Sequence, residues 1–358
     1  MDGRVLVDLS NRKCLNNALS SFPELKSSLA IGTLSLIPWI SQIACLKTVN
    51  VCEWTMSNHT ILVCDNFGKE FLGHLSKFGK VFQSSDIDYS LPLDKVTILV
   101  VRSKTKVNKE LVDIMKSLEC VITATHGIDH IDLDCLNEHG IRFHNVPAQS
   151  YDVAQGVIAY ILAHSTNLVE GDRSMKRGQW KKTSLIGCRV TGKTLGLIGC
   201  GKIGREVARL GSALGMNVVV SDPCVKDDDS ATVVSLDTLL RTSDFISVNC
   251  PLTNCTRDMI GKEEIVKMKD GVFLVNTARG GIINEEALLD AARSGKVGAA
   301  LDVFSTKKPF EDEVVNDLIK NERVIATPHS IGQTHEAIIE KGEGVIKAIE
   351  DHVNTKKC

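Results

Sequence analysis

The 358 residues are 43% hydrophobic and 24% charged, enough apolar material for about two domain-sized cores. Forty-two basic against 44 acidic side chains give a net charge of −2 with no long run of one sign, so neither a nucleic-acid groove nor a polybasic membrane face is expected. The 12 cysteines include no C-x-x-C pair and are read as reduced thiols of a cytoplasmic protein, most of them small core hydrophobes.

Residues 1–55 differ from the rest. The apolar run from Leu29 to Leu46 is interrupted by Ser35, Pro38, Ser41 and Gln42, which argues against a membrane span. Asp2, Asp8, Glu24 and Glu53 argue against a transit peptide. The segment is read as an N-terminal extension of unknown role, with a domain starting at residue 56. Four β-branched strands follow, TILVC (60–64), VTILVV (96–101), CVITA (120–124) and IRFHN (141–145), with helical periods between them such as Lys109 to Lys116. Tyr151 to Leu168 predicts one long apolar helix. After a polar stretch come six more strands, TLGLIG, NVVVS, DFISVN, VFLVN, GAALDVF and RVIAT. Strands alternating with helices predict an α/β chain with parallel sheets, the second of them doubly wound. The piece after Thr327 is too short to fold alone and is expected to return to the first unit.

LGLIGCGKIG spaces Gly199, Gly201 and Gly204 as G-x-G-x-x-G between a strand and a helix running from about Lys202 to Leu214. Such a turn brings backbone amides and a helix dipole to a pyrophosphate. NVVVS then ends at Asp222, where a carboxylate accepts from ribose hydroxyls and repels a 2′-phosphate, so NAD is the expected cofactor rather than NADP. The plainer reading of Asp222 is a cap on the Pro223 turn. Hydride transfer to a carbonyl further needs a cation for the substrate carboxylate and a proton donor. Arg279, ending the strand of VNTARGG, and His329, after the last strand in ATPHSIGQT, suit these tasks. His126 and His130 beside Asp129 and Asp132 occupy a turn rather than a helix, so no metal is expected there.

Taken in order, TLGLIGCGKIGREVARLGSALGMNVVVSDP, NCPLTNCTRDMI, LVNTARGGIINEEAL, GAALDVF and ATPHSIGQT resemble the successive signatures of the D-isomer-specific 2-hydroxyacid dehydrogenase family, and VVRSKTKVNKELV, THGIDHIDLD and IRFHNVPAQSYDVAQGVIAYILA resemble its substrate-domain motifs. Phosphoglycerate dehydrogenases are among the members it resembles most. The resemblance implies a Rossmann NAD-binding domain (151–327) inserted into a flavodoxin-like substrate domain (56–150 and 328–358), and a homodimer. It implies that Arg279 clamps a 2-oxo acid and that His329 exchanges the proton of its carbonyl oxygen. Lys202 and Ile203 would lie over the pyrophosphate, Pro251 on the adenine side, and Thr277, Ala278 and Asp302 around the nicotinamide. The backbone of Thr125, His126 and Gly127 would meet the substrate carboxylate. Arg102 and Ser103 match the pair close to substrate, and Arg102 with Lys104 suits a phosphorylated acid.

One departure stands out. The family places a glutamate before the proline that follows DVF, to pair with the histidine; here Lys307 and Lys308 precede Pro309. A lysine there is expected to lower the pKa of His329. Glu311 or Glu313 substitutes, His329 works unassisted, or catalysis is lost. The expected activity is NAD-dependent oxidation or reduction of a small D-2-hydroxy or 2-oxo acid, 3-phosphoglycerate first, then hydroxypyruvate or glyoxylate. The alternative is a weak or inactive NAD(H)-sensing binding protein on the same fold.

Overall fold

Two parallel sheets carry the chain in this computed structural model, which describes residues 59–355 apart from 65, 66, 68 and 228–230. The extension 1–55 lies outside the described residues.

The first sheet is built from β1 (His59–Cys64), β2 (Gly79–Ser84), β3 (Ile98–Val101), β4 (Cys120–Thr123) and β5 (Arg142–Asn145), ordered β2-β1-β3-β4-β5. Helices α1 (Lys69–Leu75), α2 (Lys109–Ile114) and α3 (Leu133–Glu138) connect them. Asn108 and Asp132 start α2 and α3 by accepting from the amides of Leu111 and Cys135. The central strands ILVV and CVIT are buried along their whole length, the composition a sheet covered on both faces requires. The edge strand β2, GKVFQS, escapes the sequence reading because much of it is half-exposed and it contains Lys80 and Gln83. Its first residue sits so close to β1 that a Cβ on Gly79 would lie 2.0 Å from the carbonyl oxygen of His59.

The second sheet has seven strands: β6 (Thr194–Ile198), β7 (Asn217–Ser221), β8 (Thr232–Val233), β9 (Phe245–Val248), β10 (Val272–Asn276), β11 (Val297–Leu301) and β12 (Val324–Ala326). Their order is β12-β11-β10-β9-β6-β7-β8, so the winding reverses between β6 and β9. That switch point is where open α/β sheets bind ligands. The helices of this part are α6 (Lys202–Ala213), α7 (Leu236–Thr242), α8 (Lys262–Lys267), α9 (Glu285–Ser294) and α10 (Glu313–Lys320). The six expected strands are present, and the seventh, β8, is only two residues long.

Between the sheets the expected helix 151–168 is α4 (Ser150–Ser165), and a second helix, α5 (Leu168–Lys176), follows it. The break falls at Asn167, whose φ of 53° is left-handed, a conformation asparagine tolerates better than most residues. The first half of the polar stretch that follows is thus helical. The chain ends in α11 (His335–Thr355), whose Val345 and Ile349 pack in one cluster with Ile61, Val100 and Ile122 of the first sheet. No disulfide occurs among the described residues; Cys64, Cys120, Cys135 and Cys200 are buried, whereas Cys188, Cys224 and Cys255 are exposed. No described helix is long and apolar enough to cross a membrane.

Candidate functional site

The carboxyl ends of both sheets open onto one cleft of about 970 Å³. On the nucleotide side, β6 runs into the glycine loop and α6. Gly199 takes φ 101° with its Cα against the backbone of Asn249 and Cys250, and a Cβ on Gly204 would meet the carbonyl oxygen of Gly199 at 2.4 Å. These two glycines close the turn on itself and do not line the cleft. Gly201 does line it, with nothing within 4 Å of where a Cβ would stand, so the face of the loop is open to a bulky anion at the start of a 12-residue helix. Asp222 lies just past β7 with Oδ2 accepting from the amide of Cys200 at 2.7 Å and Oδ1 from that of Cys224 at 2.8 Å. It therefore both caps its own turn and holds the glycine loop in place. The residues that would surround a dinucleotide, Gly201, Lys202, Ile203, Pro251, Thr277, Ala278 and Asp302, share this wall.

Arg279 is presented by a shaped turn. The buried side chain of Asn276, the last residue of β10, accepts from the amide of Ala278 and donates to the carbonyl of Arg279. Next to it, Gly280 passes so near Phe304 that a Cβ would lie 1.9 Å from that carbonyl oxygen. The guanidinium crosses to the other wall: its Nε donates to Oδ1 of Asp129 at 2.8 Å, and Nη2 stands where a Cβ on Gly127 would be, 1.6 Å away. Burial pushes the Asp129 carboxyl up, but the charge and hydrogen bond of Arg279 outweigh it and hold it below the usual range. Thr125, His126 and Gly127 line the cleft at this point, with Arg102 and Ser103 from the end of β3, whereas Lys104 turns away to the carbonyl of Ser85.

His329 is held by a loop wrapped around a carboxylate. Asp302, 2% exposed, accepts through Oδ1 from the amide of Ser330 at 2.9 Å and from the hydroxyl of Thr327, and the amide of Ile331 donates to both its oxygens at 3.3 Å. Tyr160 of α4 reaches the same threonine at 2.5 Å, and burial pushes its phenol up to about 12. The wrapping leaves His329 with φ 56°, a left-handed backbone at the centre of the site. Burial lowers the pKa of His329; Asp302 opposes this, and Arg279, Arg102 and Lys341 add to it.

The lysines in the glutamate slot act elsewhere. Lys307 donates to the carbonyl of Lys104 at 3.3 Å and its charge falls on His130, while Lys308 pairs with Glu311 at 2.8 Å on the surface. Glu313 opens α10. The expectation that Lys307 or Lys308 depresses the His329 pKa is thus overturned in its cause: the depression comes from burial and from cleft cations. Glu311 is engaged by Lys308 and Glu313 starts α10, while the acid whose charge raises the His329 pKa is Asp302.

Lys341 was not foreseen. It is 2% exposed, lines the cleft, and acts on both His126 and His329. It sits on α11 between Ala337 and Val345 at four-residue spacing, in a buried stripe whose one other polar side chain is His352. A lysine in such a stripe is the sequence signal that would have found it. Asp129 and Gln149 are the other missed contributors. Gln149, at φ 81°, donates from Nε2 to the carbonyl of Gly332 and so ties α4 to the histidine loop.

Residues 158–330 match the family model for the D-isomer specific 2-hydroxyacid dehydrogenase, NAD binding domain. A hydroxypyruvate reductase of Thermotoga maritima is 45% identical over 248 residues, 68% of this chain and 81% of that protein. A D-3-phosphoglycerate dehydrogenase of Archaeoglobus fulgidus is 38% identical over 307 residues, 83% of this chain and 57% of that protein. The chain thus spans about half the length of the curated phosphoglycerate dehydrogenases it matches. Among solved structures, a D-lactate dehydrogenase from Aquifex aeolicus, complexed with NAD and lactic acid, superposes with a TM-score of 0.75 at 31% identity, covering 83% of this chain and 96% of the other.

Proposed function

The chain belongs to the D-isomer-specific 2-hydroxyacid dehydrogenase family, and from that premise we propose that it interconverts a small D-2-hydroxy acid and its 2-oxo acid with NAD(H). The observation that carries the reading is the convergence of Arg279, His329 and the open face of Gly201 on one cleft. The bound nicotinamide supplies or takes the hydride at the substrate C2. Gly201 leaves room for the pyrophosphate, and the carboxylate of Asp222 beside the loop disfavours a 2′-phosphate.

The remaining work belongs to side chains. Arg279 and the backbone at residues 125–127 hold the carboxylate, a planar two-point task suited to guanidinium. In reduction, as hydride reaches C2, His329 gives its proton to the carbonyl oxygen and is left neutral; oxidation reverses both transfers. Asp302 fixes the loop that aims the imidazole. Arg102 and Lys341 bring two further cations into the cleft, which supports a phosphorylated acid, 3-phosphoglycerate or its 2-oxo partner first, with hydroxypyruvate and glyoxylate next. We assign residues 151–327 to the nucleotide domain and 56–150 with 328–358 to the substrate domain, and place the protein in the cytoplasm as a homodimer.

The test is NADH oxidation between about pH 5 and 9 with 3-phosphohydroxypyruvate, hydroxypyruvate, glyoxylate and pyruvate offered separately. Turnover with any of them supports a dehydrogenase, and NADH binding without turnover would make the chain a sensor. Lys341→Met separates the substrate classes: kcat/KM for the phosphorylated acid is expected to fall about 10–100-fold while glyoxylate loses little. An equal loss for both would remove Lys341 from phosphate recognition.

A further inference from the structure

Helix α11 carries a second polar residue in its apolar stripe, and this one lies outside the cleft. His352 is 1% exposed among Ala348, Ile349 and Val353. Near it are the thiol of Cys120, the fully buried first residue of β4, and the imidazole of His144 on β5. One donor atom from each of the three lies within 4.8 Å of the others. We propose that Cys120, His144 and His352 form a zinc-class metal site that fastens the end of α11 to the β4–β5 edge of the first sheet.

The donor set selects the ion. One thiolate and two imidazoles suit borderline-soft cations such as zinc or cobalt, whereas magnesium and calcium need oxygen ligands. Around a four-coordinate zinc, with sulfur at about 2.3 Å and nitrogen at about 2.0–2.1 Å, donors stand roughly 3.3–3.8 Å apart. A spread of up to 4.8 Å therefore closes by about 1 Å, within reach of side-chain rotation. The two strand ligands rest on a fixed frame, because Cys120 pairs with Arg142 and Ile122 with His144 in the β4–β5 ladder.

A carboxylate partner is also present. Glu119 Oε2 lies 3.7 Å from Nε2 of His352 and 3.7 Å from Nδ1 of His59. A carboxylate in that place orients a ligating imidazole and balances the charge of the ion. The three ligands come from elements far apart in the chain, so no short sequence motif marks them. Cys135 of α3 and His139, the residue that ends that helix, bring Sγ and Nδ1 to 3.7 Å, but among the described residues they form no three-donor group, which makes them an internal control.

The 358-residue chain, reduced and freed of metal by chelation, would be titrated with Co²⁺ alone. One equivalent is expected to bind with tetrahedral d–d absorption and a thiolate-to-cobalt charge-transfer band, to be displaced by Zn²⁺, and to raise the Tm. Cys120→Ser is expected to abolish the charge-transfer band, and Cys135→Ser to keep it. Absence of the band in the unmodified chain, or its survival in Cys120→Ser, overturns the site. Should Cys120→Ser fail to fold, the half-buried His144→Gln decides: cobalt affinity at least about 10-fold weaker supports the site, and unchanged affinity refutes it.

Discussion

In the function proposed above, the two walls of the cleft recognise by different means. The nucleotide wall works through backbone: Gly201 presents open space, Gly199 and Gly204 press main chain on main chain, and one carboxylate, Asp222, ties the loop down. The substrate wall works through charge, with Arg102 and Lys341 on it and Arg279 reaching across to Asp129. Backbone recognition needs a fixed local spacing, so one turn can contain it. Charge recognition needs only that cations meet in space, and these come from residues 102, 279 and 341.

That contrast can be broken most sharply at Arg279. Arg279→Ala should cost about 10²–10³-fold in kcat/KM for any 2-oxo acid while NADH affinity, read by fluorescence titration, stays as it was. Loss of NADH binding would show that the two walls are not separable. Gly127→Ala comes next: its Cβ would stand 1.6 Å from the guanidinium, so Arg279 must move, and a fall of roughly 10-fold or more in kcat/KM is expected with NADH affinity again kept.

A smaller effect is set by pH. The pKa of His329 lies below 6.5 because of burial, with Arg279, Arg102 and Lys341 adding to the shift against Asp302. With His329 as the proposed proton donor, reduction would use the protonated imidazole, so its kcat/KM should already be declining as pH rises through 6.5, and a profile flat to pH 8 would contradict this assignment. Stability has the opposite slope. His126, His130, His164 and His329 all have pKa values lowered by burial, so below 6.5 the unfolded chain binds protons that the folded one refuses. The Tm should therefore fall as pH drops from 6.5 through the lowered values. The smallest effect is expected of Lys308→Glu, which changes an exposed pair with Glu311 and should leave both the rate and its pH profile unchanged.

Legibility in the sequence followed the same division. VFLVN is β10 from end to end, because a strand buried on both faces must be a continuous apolar run. The glycine loop, Arg279 and His329 could be placed from local strings. β2 could not, since a half-exposed edge strand has no such run, and α5 could not, since it lies in a largely polar stretch. The lysines before Pro309 misled in another way. The family resemblance put them beside His329, in the slot of its glutamate, but the loop turns Lys307 to Lys104 and pairs Lys308 with Glu311 at the surface. Asp302, which does act on His329, lies 27 positions earlier in the sequence and reaches it only because the loop folds around it.

The bond between Arg279 and Asp129 makes the protein its own competitor. An incoming carboxylate that claims the same guanidinium nitrogen displaces a carboxylate already seated there, so measured affinity reflects an exchange of one anion for another. The apparent Kd is then the intrinsic value divided by the fraction of molecules in which Asp129 has let go. Weak binding of a small acid would in that case report the strength of this internal rival as much as the quality of the substrate's own contacts.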